Sequence, residues 1–222
     1  MAYFFFKLIR VERKSLGYNR VTMLLISHIT NGMAFKKKRR STNMLSKKMQ
    51  DALNKQINAE LYSGYLYLSM SAYYHSINLP GFANWMYVQM LEEQAHAQIL
   101  FNHVTDRGGR VILAPIAGPQ TDWKNPEEPI ADAYAHEIKV TAMINDLVKL
   151  AMDEKDFASN AMLQWFVTEQ VEEEKNPSDI LQQLKLMGNA PGALFMVDRQ
   201  LATRVFVMPA ILAGQQGGGP AA

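Results

Sequence analysis

Residues 86–100 read MYVQMLEEQAHAQIL, and one acid in that stretch decides the fold. Met86, Glu93 and Leu100 are spaced by seven, so on a helix Glu93 stands in line with bulky apolar side chains above and below it. The pattern recurs on three more segments. The preceding one gives Leu53, Glu60 and Tyr67, and the two that follow give Ile130, Glu137, Ile144 and Ala151, then Phe166, Glu173 and Ile180. Each of four helices therefore aims one glutamate at a shared interior. Buried carboxylates without counter-charge must desolvate or protonate, so the pattern calls for shared cations. His96 follows Glu93 by three and shares its face, and Gln170 precedes Glu173 by three. Oxygen ligands with one imidazole and no sulfur suit iron or manganese better than structural zinc. An E-x-x-H pair beside bridging glutamates argues for two metals rather than one. The competing reading is a solvated face. A lone E-x-x-H is weak, and Glu169, Glu172, Glu173 and Glu174 by themselves read as a wet helix surface. Coincidence with apolar heptad neighbours on four separate helices favours the metal reading.

Working outward, the first helix spans roughly Ser46–Tyr74, with an apolar stripe at Leu53, Ile57, Leu61, Gly64, Leu68 and Ala72. Pro80 and Gly81 interrupt it, and the second helix covers Phe82–Thr105, closed by Gly108 and Gly109. The third opens at Pro129 and reaches about Met152; the fourth runs from Asp156 to Met187, where Gly188 stops it. A short fifth helix is expected within Pro191–Val207, and residues 208–222, with Gln215 to Pro220, read as a flexible tail. The first two helices, and the last two of the four, are joined by short connections and must be antiparallel. The link from the second to the third has no periodicity and is long enough to run the length of a bundle. The third helix then lies parallel to the second. The fold expected is an all-α four-helix bundle with one long crossover and a short fifth C-terminal helix.

Composition excludes several alternatives. The 222 residues contain no cysteine, which removes disulfide scaffolds, thiolate metal sites and thiol nucleophiles. A hydrophobic fraction of 48% with 20% charged residues is ordinary for a globular protein, and no apolar run approaches a membrane span. Charge is divided along the chain. Residues 1–43 hold ten Lys and Arg against one acid, Glu12, while residues 44–222 hold 13 against 20. Two different things are joined. The first 43 residues, with the run Lys36 to Arg40, read as a basic extension, disordered or upstream of the native start; a targeting or membrane-surface segment and a nucleic-acid-binding tail are the alternatives.

Residues 44–207 closely resemble the bacterial and archaeal non-haem ferritins. The stretches that carry the resemblance are Asn58 to Ser63 (NAELYS), Glu92 to Ala97 (EEQAHA), His136-Glu137, Leu163 to Val167 (LQWFV) and Glu169 to Glu174 (EQVEEE). The resemblance implies iron storage with ferroxidase activity. Site A would use Glu60, Glu93 and His96, with Gln170 as a nearby hydrogen-bonding group. Site B would use Glu93 as bridge, with Glu137 and Glu173. A third iron site would use Glu92, Glu169, Glu172 and Glu173. Tyr67 matches a family tyrosine able to supply an electron, and Trp165 a family tryptophan for which core packing is an equal reading. Bacterioferritins carry a second E-x-x-H on the fourth helix, which this chain lacks, and rubrerythrins need cysteines. The implied substrates are Fe(II) and dioxygen or peroxide, the implied assembly a cytoplasmic homo-oligomeric 24-mer cage, with no nucleic-acid or membrane partner. The alternative is a non-enzymatic cage subunit or another di-iron carboxylate oxidase.

One feature departs from that family. Pro177 falls inside the fourth helix, where it removes the donor for the carbonyl of Glu173 and crowds it. The expectation is a helix that continues past Pro177, because Ile180, Leu184 and Met187 maintain the apolar stripe, with a bend that loosens site B or the third site.

Overall fold

The computed structural model describes residues 44–188, 190 and 192–213, and these are helical with no strand. Residues 1–43, Asn189, Pro191 and residues 214–222, which take in the basic extension and most of the tail expected from sequence, lie outside the described residues. Four long helices form the body: α1 (Lys47–Ser76), α2 (Pro80–Asp106), α3 (Glu128–Asp153) and α4 (Phe157–Met187). Two short ones follow, α5 (Ala193–Leu201) and α6 (Ala210–Ala213). Their ends have local causes. The Ser46 side chain accepts from the Met49 N–H at 3.0 Å, and Asp156 accepts from the Ser159 N–H at 3.1 Å, capping α1 and α4. Asn125 accepts from the backbone of Glu127 and Glu128, so Pro129 enters α3 within an already capped turn. Gly188, at φ 52°, ends α4.

α2 has no cap of its own. Its first N–H groups are taken by Asp198 of α5, which accepts from Gly81 at 2.7 Å and Phe82 at 3.0 Å. A Cβ on Gly81 would lie 1.6 Å from the Asp198 carbonyl oxygen, so only glycine admits α5 at this distance. The fifth helix is shorter than the expected Pro191–Val207. It stops at Leu201 because Asn84 on α2 donates to the carbonyls of Leu201, Ala202 and Arg204, which satisfies them outside a helix. Residues 208–213, placed with the tail by sequence, include the single turn α6, whose Leu212 is buried.

The topology follows from which side chains of α1 meet the crossover. Gln50 and Asn54, early in α1, bind Arg110 and Ile112; Asn58 binds Ala114 and Pro115; Ser69 binds Gln120; Tyr74, near the end, binds Pro126. The crossover therefore runs along α1 in the same direction, and α3 starts where α2 started. α3 is parallel to α2, as expected from the length of the connection. The apolar core comes in two blocks. One gathers Tyr67, Met70, Tyr74, Phe82, Met86, Ile130 and Ile180; the other gathers Met49, Leu53, Ile57, Leu100, Ile144, Leu163 and Phe166. In sequence the four heptad glutamates fall between the blocks on every helix.

The stripe expected on the first helix needs correction. Leu53 and Ile57 are buried, but Leu68 and Ala72 face outward and Leu61 is half-buried. The buried line follows Leu53, Glu60, Tyr67 and Tyr74 instead, a true seven-residue repeat. A stripe stepped mostly by four drifts off the contact line, whereas a heptad stays on it.

Candidate metal centre

Glu60, Glu93, Glu137 and Glu173 are each no more than 3% exposed, one from each helix of the bundle. Their ligand atoms form overlapping groups. Glu60, Glu93 and His96 offer atoms within 4.8 Å of one another, and so do Glu93, Glu137 and Glu173. Glu93 belongs to both. Glu60 Oε2 and Glu93 Oε2 are buried with no hydrogen-bond partner. Such orphaned acceptors are costly, and a shared cation is the chemistry that would satisfy them.

The electrostatics agree. Burial is the main cause that pushes Glu60 and Glu137 up from 4.5 to about 7. Burial, then the fields of Glu137, Glu60 and Glu173, drive Glu93 well above the carboxylate range. Glu173 is raised by burial and by Glu137. His96 is lowered to about 4 by burial, so its imidazole is neutral and keeps a lone pair for a metal. Its Nδ1 stands 3.4 Å from Glu93 Oε2, and its ring lies edge-on to Trp165 and Phe166.

Several polar side chains hold the carboxylates. Gln56 donates to Glu60 at 3.0 Å, Gln89 donates to Glu173, and Tyr67 donates its phenol to Glu137. Gln170 does not serve site A as expected. Its amide points to Glu137, at 3.3 Å, and to Thr141, so it supports the opposite group. Gln56 and Gln89 were not anticipated from sequence. Both precede a heptad glutamate by four, a spacing that could have singled them out. His136, beside Glu137, accepts or donates at Ser63 Oγ at 2.8 Å and packs edge-on to Tyr67, outside the ligand groups.

The third iron site expected at Glu92, Glu169, Glu172 and Glu173 is not assembled as a ligand group. Glu169 and Glu173 group with His96 instead. Glu92 is paired with Arg204, a residue from beyond α5, and Glu172 is exposed. At Pro177, α4 continues as expected, and Glu173 offers a ligand atom to the group with Glu93 and Glu137.

Comparison with known proteins gives one consistent answer. Residues 50–187 match the ferritin-like domain family. A bacterial non-heme ferritin from Bacteroides fragilis is 40% identical over 161 residues, covering 72% of this chain and all of the relative. A probable bacterial non-heme ferritin-like protein from Haemophilus influenzae is 38% identical over 71% of this chain and 96% of its own length. Among solved structures, the open pore ferritin of the archaeon Archaeoglobus fulgidus is 50% identical, with a TM-score of 0.72 over 72% of this chain and 99% of that one. An engineered closed form of the same ferritin matches at a TM-score of 0.72.

Proposed function

The chain belongs to the ferritin family, and on that premise we propose that it stores iron and is a ferroxidase, oxidising Fe(II) at the carboxylate layer. One substrate ion is assigned to Glu60, Glu93 and His96, the other to Glu93, Glu137 and Glu173. Glu93 bridges. The observation that carries this reading is the pair of buried oxygens on Glu60 and Glu93 that accept no hydrogen bond.

In the empty protein Glu60 and Glu137, at about 7, hold protons near neutrality. Binding of Fe(II) displaces them, because a carboxylate ligates in its deprotonated form. Gln56, Gln89, Gln170 and Tyr67 fix which carboxylate oxygen faces which ion. The two Fe(II) give one electron each, which with two protons reduce dioxygen to hydrogen peroxide or hydrogen peroxide to water, and the hard carboxylate oxygens favour the Fe(III) product. Tyr67, kept a neutral phenol chiefly by burial, is the residue we assign as an auxiliary electron donor.

Storage of ferric mineral requires a shell, and the relatives include ferritins described by open and closed pore forms. We assign a homo-oligomeric cage, with 24 subunits on family resemblance. Exposed Tyr65, Leu68, Ile112, Leu113 and Ile116 supply apolar surface for subunit contact. Among the described residues no helix is long and apolar enough to cross a membrane, and a cytoplasmic location is part of the proposal. So is the assignment of residues 1–43 as an extension dispensable for assembly and oxidation. A variant starting at Met44 should assemble and oxidise iron like the full chain.

The test is to mix purified protein with Fe(II) in air, following oxygen consumption and the iron that co-elutes with protein. Rapid oxidation with retained iron is expected. Oxidation at the buffer rate would overturn the enzymatic reading, and iron retained without faster oxidation would favour the non-enzymatic cage subunit.

A further inference from the structure

Arg204 enters the carboxylate region from outside the bundle. It follows α5 on a stretch anchored by Asn84, whose amide donates to the Arg204 carbonyl at 2.9 Å. Its guanidinium carbon stands 4.6 Å above the Trp85 ring. One terminal nitrogen donates to Gln89 Oε1 at 2.7 Å and to the Trp85 carbonyl at 3.3 Å; the other donates to Glu92. Gln89 in turn donates to Glu173. The guanidinium thus touches one acid directly and a second through a single amide. Glu92 also feels Glu169 and Glu172, and Glu173 feels Arg204 and Glu92. A planar cation with fixed donors, stacked on an indole and only 19% exposed, is a built-in counter-charge rather than a solvated side chain.

We propose that Arg204 takes the place of a third cation among Glu92, Glu169, Glu172 and Glu173, and so limits this chain to two tightly bound Fe(II) per subunit. It also positions Glu173, through Gln89, for the group it forms with Glu93 and Glu137. The inference rests on the di-iron reading. It departs from the three-iron arrangement that the family resemblance implied, because Glu92 is committed to a guanidinium.

Anaerobic Fe(II) titration by calorimetry tests this on the assembled protein. Wild type should bind two Fe(II) tightly per subunit. Arg204→Met retains an apolar stem on Trp85 but no charge, and should gain a third Fe(II), bound at least about tenfold more tightly than any third equivalent in wild type. Arg204→Lys retains the charge and should stay at two. Two sites in Arg204→Met, three tight sites in wild type, or the same gain in Arg204→Lys would overturn the proposal. No tight site in wild type would instead overturn the di-iron reading. If Arg204→Met does not assemble, hydrogen exchange on wild type decides. A third Fe(II) that binds tightly, or weakly without faster exchange in residues 202–213, overturns the proposal; no third Fe(II), or a weak one that loosens this segment, supports it.

Discussion

Helix α4 and its N-cap carry two acids with opposite surroundings, one half-buried and one buried. At its start, Asp156 meets Arg107 at 2.9 Å and accepts from the Ser159 backbone and hydroxyl. Burial works against its charge, yet hydrogen bonds from Ser159 and Arg107 outweigh it and hold the carboxyl below its ordinary value. Further along, Glu173 shares its layer with Glu60, Glu93 and Glu137, and all four are pushed upward. An acid that only fastens helices comes with its counter-charge; an acid layer that binds substrate leaves the counter-charge to be supplied. The Asp156 corner also contains His103, 2.9 Å from Ser159 Oγ. It is no nucleophilic triad, because Asp156 binds the buried serine rather than orienting the histidine.

The sharpest way to break this contrast is Glu93→Ala. Rapid iron oxidation should fall by more than about 100-fold, beyond what loss of a supporting residue costs. The metal-free protein should melt no lower than wild type, since a desolvated carboxyl with an unsatisfied oxygen is gone. Stopped-flow oxidation and thermal melting read both signs, and unchanged fast oxidation would end the two-ion assignment. Arg107→Met probes the other region. It leaves Asp156 with only its Ser159 partners and should lower stability by about 1–2 kcal/mol, with oxidation rates at the wild-type level. A melting temperature equal to wild type would show that the pair is ornamental.

The pH dependence is subtler. His96 and His136, lowered to about 4, add stability to the empty protein as pH rises through 4 to 6.5. Glu60 and Glu137 act in the opposite direction. Their folded-state values exceed the unfolded 4.5, so their contribution is complete below 4.5 and is lost as pH rises through about 7. Well above pH 6.5 the histidines are neutral in both states, and the acids dominate the slope. The melting temperature of metal-free protein should therefore decline from about pH 6.5 to 8, and metal should abolish the decline. A flat or rising curve without metal would contradict the raised carboxylates. Smallest of all should be Pro177→Ala. It restores a donor for the Glu173 carbonyl and should raise stability by at most about 3 kcal/mol, less the packing of a buried ring. Metal affinity should barely move, because Glu173 already sits with its partners. A large gain at the Glu137 side would mean the proline does displace it.

Much of this was legible in the sequence because a heptad is a statement about direction. Four acids in apolar registers announced their own convergence, and the length of the crossover announced the topology. The drifting stripe on α1 misled because Leu61, Leu68 and Ala72 look as apolar as the residues actually buried. Gln56 and Gln89 were missed because a glutamine on a helix normally faces water. Gln170 went to the wrong site because a spacing along one helix says nothing about which neighbour its amide reaches. Arg204 lay beyond any periodic argument, since it arrives from a non-helical stretch and its partners sit more than a hundred residues earlier.

The crossover also sets a timetable. Its backbone has little regular pairing of its own and takes partners from Gln50, Asn54, Asn58, Ser69 and Tyr74. α1 therefore acts as a ruler against which the later strand of chain is measured. During synthesis the α1–α2 hairpin leaves the ribosome first and is complete before residue 110 needs its first partner. The α3–α4 hairpin docks later, and each pair of helices brings two of the four glutamates to the shared layer. An ion bound before that event would find half a site.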